Sequence, residues 1–339
     1  MKFRVSFIIA AACAAVTSLV PAAVPANAQQ VPTLKALTAE WPEIVKVDGI
    51  EILNVQKNIY MLVGGGANVT IQIGDEGVLV VDTGGVGNSD KIVAAIRHLT
   101  RKPLRFLIDT SADPDHAGDN AGIVKAAGGV SGVNAAPGHP ANVGILTISH
   151  DIALNRMVDG SSGMPPLKGE AVPVSSFSEA RKDFYANSEA VQVFHEPNAH
   201  EDGDVIVFFR GSDVVSTGEI FRTDSYPVID LAKGGSIQGE LNALNHILDI
   251  TIPERNQMGG TRVVPAHGRI CNEADVLEYR DMLTIIRDRV KAMIKKNMTL
   301  AQIEAAHPSL EYDGIYGTRK ELTGDMFLEV VYNDLGGKK

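Results

Sequence analysis

Four short polar segments hold the side chains that could do chemistry in this chain of 339 residues. Aspartate, glutamate and histidine recur within them, and each segment adjoins an apolar run typical of a strand. The segments are residues 108–120, 198–204, 216–221 and 263–268. Because residues at the ends of neighbouring strands can meet at one rim of a sheet, we expect these groups to converge there and to bind a metal ion.

Asp115, His116 and His267 supply one carboxylate and two imidazoles. That set suffices for a catalytic zinc ion with an open position for water, and such an ion supplies hydroxide near neutral pH. Glu219 is the candidate fourth ligand, with a buried structural carboxylate as the alternative. Asp115 is the candidate catalytic residue, because it could orient the water and carry its proton to a leaving group. Taken alone, Asp115 and His116 would also fit a helix cap and a surface imidazole, so the metal interpretation depends on all four segments.

Ser111, Asp113 and His200 form a second and weaker set of candidate ligands. A serine hydroxyl is a poor ligand for zinc, and one imidazole with one carboxylate binds it weakly. We expect this pocket to be weakly filled, empty or occupied by a harder ion such as iron or manganese. For Ser111 the alternative is a small polar residue that hydrogen-bonds its own loop. Asp82 is expected to brace the metal loop by hydrogen bonds rather than to bind metal.

Three further residues are candidates for substrate binding. His195 precedes His200 by five residues and is expected to line the same cleft. Arg222 follows Glu219 closely, and Lys233 precedes a pair of glycines. Either cation could hold a substrate carboxylate, and the alternative for both is a solvated surface cation.

Short apolar runs alternate with turn residues and helical patterns, and these elements must position the candidate ligands. Strands are predicted at residues 59–63, 69–73, 78–82, 104–108, 190–194, 205–209, 213–217 and 262–265, and helices at residues 88–99, 120–127 and 323–335. An apolar stripe from Val276 to Met293 predicts a long helix, and Thr299 with Gln302 forms a capping box for a short one. Residues 155–174 are expected to be a long surface loop, either a lid or a solvated insertion. This order favours one α/β domain.

The composition is that of an ordinary globular protein, with 45% hydrophobic and 21% charged residues. It excludes a disordered, collagen-like or disulfide-stapled chain. The net charge of −10 argues against a nucleic-acid binder and against attraction to anionic lipid. The expected partner is a small-molecule substrate, and the oligomeric state stays open.

Residues 1–28 have the pattern of a cleaved secretory signal peptide. Lys2 and Arg4 precede an uncharged run over residues 5–20, and a small-x-small site ends at Ala28. The alternative is an uncleaved anchor, although the run is short for a membrane span. We expect a periplasmic or secreted protein with no stable membrane insertion after cleavage. Without the signal Cys271 is unpaired, so no intrachain disulfide can form.

We expect the rest of the chain to form three parts. Residues 29–45 form an N-terminal lead, and residues 46–297 form the domain that holds the candidate ligands. Residues 298–339 form a C-terminal helical extension packed on that domain.

Four motifs resemble those of the metallo-β-lactamase-fold hydrolase superfamily and occur in its order. They are Val80-Val-Asp82-Thr-Gly84, His200 followed by Gly203-Asp204, Gly218-Glu219-x-Phe221, and Pro265-Ala-His267-Gly268. The resemblance covers residues 52 to about 290 and implies an α/β fold, a four-layer α/β/β/α sandwich. It also implies a metal site at one edge, between the two sheets.

The resemblance assigns ligand roles position by position. The family's His-x-His-x-Asp-His motif stands here as Ser111-x-Asp113-x-Asp115-His116. The first two motif positions, with His200, match one zinc site, and the last two, with His267, match the other. Glu219 stands where the family usually has a bridging aspartate. One or two zinc ions are expected, with iron or manganese as the alternative.

The leading functional hypothesis is an exported metal-dependent hydrolase. It would use a metal-bound hydroxide on an acyl substrate, namely a lactam, lactone, ester or thioester. One alternative is an iron- or manganese-dependent redox enzyme, because Asp113 makes the ligand set rich in oxygen and resembles the diiron branch of the superfamily. That branch keeps a histidine where this chain has Ser111. The other alternative is a degenerate binding protein without catalytic activity.

Overall fold

A computed structural model describes residues 44–130 and 144–337. The expected signal peptide lies outside the described residues, and so does the expected lead apart from its last two residues. Of these two, residue 45 opens the first strand. No helix within the described ranges is both long and apolar enough to cross a membrane.

The first sheet contains eight strands that lie in chain order. They are β1 (Val45–Val47), β2 (Ile50–Gln56), β3 (Ile59–Val63), β4 (Val69–Gly74), β5 (Gly77–Val81), β6 (Leu104–Ile108), β7 (Leu146–His150) and β8 (Ser175–Phe177). Neighbours from β1 to β5 are antiparallel, whereas those from β5 to β8 are parallel. Parallel neighbours need a crossover connection, so helices enter the chain only after β5.

The second sheet contains five strands in the order β13-β12-β11-β10-β9. They are β9 (Arg181–Ala186), β10 (Glu189–His195), β11 (Val205–Phe209), β12 (Val214–Ser216) and β13 (Arg262–Val264). All pairs are antiparallel except β12 with β13, which is parallel. As a result β12 and β13 end at the same rim of the sheet.

Helices cover the outer faces of both sheets. They are α1 (Ser89–Leu99), α2 (Pro114–Ala117), α3 (Asn120–Ala127), α4 (Asp151–Asp159), α5 (Ile237–Ile250), α6 (Glu273–Ile294), α7 (Leu300–Ala305), α8 (Leu310–Tyr316) and α9 (Gly324–Asp334). Short 3-10 helices span Gly169–Ala171, Gly218–Ile220 and Leu231–Lys233. The predicted capping box of Thr299 and Gln302 begins α7 and is confirmed.

Three apolar cores separate four layers. The central core joins the two sheets through residues such as Leu79, Ile108 and Val207. A second core packs α1 and α3 on the first sheet, and a third packs α5, α6 and the C-terminal helices on the second sheet. Phe327 of α9 belongs to this third core and stacks on Tyr226 with ring centroids 4.6 Å apart. The predicted four-layer α/β/β/α sandwich is therefore confirmed.

The expected surface loop over residues 155–174 is wrong in its first part. Helix α4 continues to Asp159, and the segment also contains the 3-10 helix Gly169–Ala171. Met157 of α4 and Met164 beyond it are buried together. The methionines that favoured an irregular loop in the sequence therefore form a small apolar core of their own.

Candidate metal centre

Four strands end at one rim, and the loops that follow them supply the candidate ligands. Asp82 follows β5, whereas Asp115 and His116 lie in α2, shortly after β6. Glu219 lies in the 3-10 helix after β12, and His267 follows β13. Parallel pairing of β5 with β6, and of β12 with β13, brings these ends together.

Four of the predicted ligands form one group, named here the His116 centre: Asp115, His116, Glu219 and His267. The Oε1 atom of Glu219 lies 3.0 Å from Nε2 of His116 and 3.1 Å from Nε2 of His267. Oδ2 of Asp115 lies 3.2 Å from the same nitrogen of His267. A tetrahedral zinc ion with bonds of about 2.0–2.1 Å holds its ligand atoms roughly 3.3 Å apart. The three contacts are close to this spacing. The ligand atoms of Asp115, His116 and Glu219 all lie within 4.8 Å of one another, as a shared ion requires, and His267 contacts two of these three residues.

The His116 centre is buried on one side and open on the other. His116 and Glu219 are buried, with side chains 0% and 5% exposed. His267 is 17% exposed and Asp115 is 36% exposed. Solvent and a small substrate can thus reach the donors from the side of Asp115 and His267.

Asp82 holds the ring of His116 in one orientation. Its Oδ2 lies 2.9 Å from Nδ1 of His116, and Asp82 itself accepts hydrogen bonds from the backbone and the hydroxyl of Thr110. With Nδ1–H directed to this carboxylate, Nε2 faces Glu219. The contact agrees with the bracing role expected for Asp82 and is typical of the partners that orient metal-binding imidazoles.

Arg222 positions the other oxygen of Glu219. Its guanidinium donates to Oε2 of Glu219 at 3.0 Å, and both side chains are buried. Burial alone would raise the pKa of Glu219, but His116, His267 and Arg222 hold it well below its ordinary value. Arg222 is therefore not the solvated surface cation that the sequence offered as its alternative, and its described ion pairs are with Glu219 and Asp224.

A second group, named here the His200 centre, contains Asp113, His200 and Glu201, whose ligand atoms lie within 4.8 Å of one another. Nε2 of His200 lies 3.0 Å from Oδ2 of Asp113, and Nδ1 of His200 lies 2.7 Å from the carbonyl oxygen of Val228. Sequence reasoning missed Glu201, which follows His200 directly and is fully buried. Its position beside a candidate ligand was the available signal.

Lys233 reaches the His200 centre rather than open solvent. Its Nζ lies 2.7 Å from Oδ1 of Asp113, and its side chain is 18% exposed. Burial disfavours the charged ammonium, but the hydrogen bond to Asp113 outweighs this and raises the pKa of Lys233. The lysine is thus an ion-pair partner of a candidate ligand, which corrects the expectation of a solvated cation or a free substrate anchor.

Ser111 and His195 lie outside both groups. The Ser111 hydroxyl accepts a hydrogen bond from the backbone of Asp113 at 3.0 Å, which is the loop role left open as its alternative. The ring of His195 stacks on His150 with centroids 3.7 Å apart, and its Nε2 lies 2.8 Å from the carbonyl oxygen of Asp202. These contacts hold His195 against β7 and the Asp202 loop, and none of its described contacts is to either centre.

Comparison with known families gives a match over much of the chain. The family model described as the Metallo-beta-lactamase superfamily matches residues 62–253, which is more than half of the 339 residues. A search of curated proteins found no match.

Solved structures share the fold at low sequence identity. The inverting sec-alkylsulfatase Pisa1 from Pseudomonas sp. is similar over 85% of this chain and 50% of its own, with a TM-score of 0.64 and 14% identity. A metallo-beta-lactamase from Pontibacter korlensis is similar over 69% of this chain and 99% of its own, with a TM-score of 0.53 and 14% identity. A metallo-beta-lactamase from Hirschia baltica is similar over 70% of this chain and 98% of its own, with a TM-score of 0.52 and 14% identity. This chain thus spans about half the length of the alkylsulfatase, and at these identities the likeness concerns the fold alone.

Proposed function

Since the chain belongs to the metallo-beta-lactamase superfamily and is a metal-dependent hydrolase by that membership, we propose that it uses zinc in the His116 centre to hydrolyse an acyl substrate. The substrate classes proposed are lactams, lactones, esters and thioesters. The observation that supports this most is the convergence of two imidazole nitrogens on one oxygen of Glu219, at 3.0 and 3.1 Å, beside the partly exposed Asp115.

The donor set of the His116 centre favours zinc over harder ions. Two imidazoles with carboxylate oxygens are usual zinc ligands, and three protein ligands with an open position are usual in catalytic sites. A bound zinc ion supplies a Lewis acid and lowers the pKa of a coordinated water toward neutrality. His116, His267 and Glu219 would hold it, with Asp115 at the exposed side.

Asp115 is the group placed to move a proton. Burial alone would raise its pKa, but the hydrogen bond with His267 and the nearby His116 lower it below the ordinary value. The carboxylate is therefore ionised at neutral pH and can accept the proton of an attacking water. It can then pass this proton to the leaving group on the same exposed face.

A substrate panel tests this function. Protein loaded with zinc is assayed on a cephalosporin, a lactone, a thioester, a simple ester and a secondary alkyl sulfate. We expect turnover of at least one acyl class that a chelator abolishes and added zinc restores. Zinc-loaded protein that hydrolyses none of the acyl substrates would contradict the proposal. If the protein hydrolyses only the alkyl sulfate, its substrates are sulfate esters rather than acyl compounds. Iron or manganese in protein purified from cells would favour the redox alternative.

Export is part of the same proposal. The basic residues Lys2 and Arg4, the uncharged run and the small residues before Gln29 support cleavage after Ala28. The intact mass of protein recovered from the periplasm or medium tests it. We expect a chain that begins at Gln29, and a chain retained in the cytoplasm at full mass would contradict export.

A further inference from the structure

We propose that the ammonium group of Lys233 takes the place of a metal ion in the His200 centre, so that this centre holds no metal. If the His116 centre binds one zinc ion, as the proposed function requires, the protein then holds one ion per chain. The exclusion of metal by Lys233 stands independently of that function.

The Nζ atom of Lys233 lies among the oxygens that a metal ion would need. It is 2.7 Å from Oδ1 of Asp113 and 3.8 Å from Oε2 of Glu201. It is also 3.4 Å from the carbonyl oxygen of Ser162 and 3.5 Å from Oδ2 of Asp230. An ion shared by Asp113 and Glu201 would have to lie close to this ammonium, which repels it.

The backbone of Lys233 is fixed on both sides, so the ammonium is not a loose surface group. The side chain of Asp230 accepts hydrogen bonds from the backbone of Lys233 and of its neighbour Ala232, and Gly234 ends the 3-10 helix in the left-handed region with φ 84°. The carbonyl oxygen of Lys233 accepts from the backbone of Asp202 and from the guanidinium of Arg156. The ammonium is held at the centre by its own secondary structure.

The carboxylates of the His200 centre already have cationic partners without a metal ion. Lys233 pairs with Asp113 and also lies near Asp230, whereas Arg156 lies 3.2 Å from Oε2 of Glu201 and also pairs with Asp202. His200 adds a further hydrogen bond to Asp113. Buried carboxylates that already have such partners gain little from a divalent ion, which would have to displace one of them.

The His116 centre differs in where its cation lies. Arg222 contacts Oε2 of Glu219, whereas the Nε2 atoms of His116 and His267 lie near Oε1 of the same side chain. Among the described residues no lysine or arginine contacts Asp115 or Oε1 of Glu219, so these donor atoms are left for a divalent ion. The two centres thus differ in whether a cationic side chain already lies among the donor atoms.

The same contact explains the departure from the family motif. An aspartate at position 113 can form an ion pair with an ammonium group, whereas the neutral imidazole that the family has there offers an acceptor nitrogen without a negative charge. Ser111 turns back on the loop and needs no metal to satisfy its hydroxyl. Asp113 and Lys233 together take the place of a histidine ligand and its metal ion, although 120 residues separate them in the chain.

Metal stoichiometry tests the inference without relying on activity. Wild-type protein, Lys233→Met and Lys233→Arg are dialysed to equilibrium against excess zinc and analysed by mass spectrometry of the metal, with circular dichroism to check folding. We expect one equivalent in the wild type and in Lys233→Arg, which keeps the charge. We expect one additional equivalent in Lys233→Met, which is unbranched and one atom shorter than lysine and carries no charge.

The outcomes separate this inference from the proposed function. Two equivalents in the wild type, or no gain in folded Lys233→Met, would overturn the inference. No zinc in the wild type with one equivalent in Lys233→Met would support exclusion by Lys233 while contradicting the function proposed for the His116 centre. If Lys233→Met does not fold, His200→Gln replaces it. We then expect His200→Gln to bind zinc as the wild type does, and a loss of one equivalent would overturn the inference.

Discussion

Oδ2 of Asp82 lies 2.9 Å from Nδ1 of His116, and this contact determines which nitrogen of the ring faces Glu219. Asp82 follows β5, and its backbone lies in the left-handed region with φ 65°. That conformation turns the side chain to the rim directly at the end of the strand. The carboxylate therefore sets the ligand geometry from behind without being a ligand itself.

Replacing Asp82 by asparagine should weaken zinc binding by about tenfold, the lower end of the range for partners that orient a metal-binding imidazole. Asparagine tolerates the left-handed backbone, but it lacks the charge that favours Nδ1–H. Competition with a chromophoric chelator measures the affinity. Asp213→Asn is the matched control, because Asp213 is also buried with a positive φ of 59° and precedes β12 at the far end from Glu219. Equal losses of affinity in both variants would contradict the orienting role.

The strands that the sequence predicted well are mostly apolar and have no exposed residue. Ile59–Val63, Leu104–Ile108 and Val205–Phe209 have the predicted bounds; Val205–Phe209 is buried throughout, and the other two strands are buried or half-buried at every position. The missed strands carry other signals. β9 lies at the edge of its sheet and begins with three charged residues, Arg181 to Asp183, and β7 buries Thr147, Ser149 and His150. Apolar runs alone cannot indicate either kind of strand.

Residue type and strand order predicted which ligand candidates to examine, but not how they pair. Asp115, His116, Glu219 and His267 each adjoin a strand end, and the structure brings all four together. The partner of Asp113 was not predictable in this way. Lys233 meets Asp113 only because the loop after Val228 packs on the His200 segment, and that packing leaves no periodic trace in the sequence.

Zinc should stabilise the fold through the His116 centre. A ligand at 100 times its Kd adds about 2.7 kcal/mol to the free energy of unfolding when it binds only the native state. We therefore expect zinc to raise the melting temperature of the wild type and to have little effect on His267→Gln. His98→Gln is the control, because His98 is exposed on α1, and it should respond to zinc as the wild type does. An equal response of His267→Gln would contradict ligation by His267.

Arg222→Met should destabilise the metal-free protein by about 3–5 kcal/mol, because it leaves Oε2 of the buried Glu219 carboxylate without its ion-pair partner. Zinc supplies a replacement charge, so the loss should be smaller in the loaded protein. Urea unfolding with and without zinc measures both values. Arg262→Met is the control, since its ion pair with Glu254 is 31% and 49% exposed, and it should cost no more than about 1 kcal/mol. If zinc does not reduce the loss of unfolding free energy in Arg222→Met, then Glu219 does not bind the metal ion.

The pair of Asp113 and His200 should make the stability of the metal-free protein depend on pH. Burial alone would lower the pKa of His200, but the hydrogen bond to Asp113 and the nearby carboxylates raise it to about 10. Burial would raise the pKa of Asp113, but His200 and Lys233 lower it to about 2. The contribution of His200 is therefore complete below its ordinary value of 6.5 and is lost as the pH rises toward 10. The contribution of Asp113 is complete above 3.8 and is lost as the pH falls toward 2.

His200→Gln isolates this contribution, because other imidazoles with raised pKa values, such as His116 and His246, stay in both proteins. The free energy of unfolding is measured in chelator from pH 5 to pH 10 for the wild type and the variant. We expect the difference between them to be largest near pH 5 to 6 and to shrink steadily above pH 6.5, since the charged imidazole that Asp113 stabilises is lost there. A difference that stays constant across this range would show that His200 is not held in its charged form by Asp113.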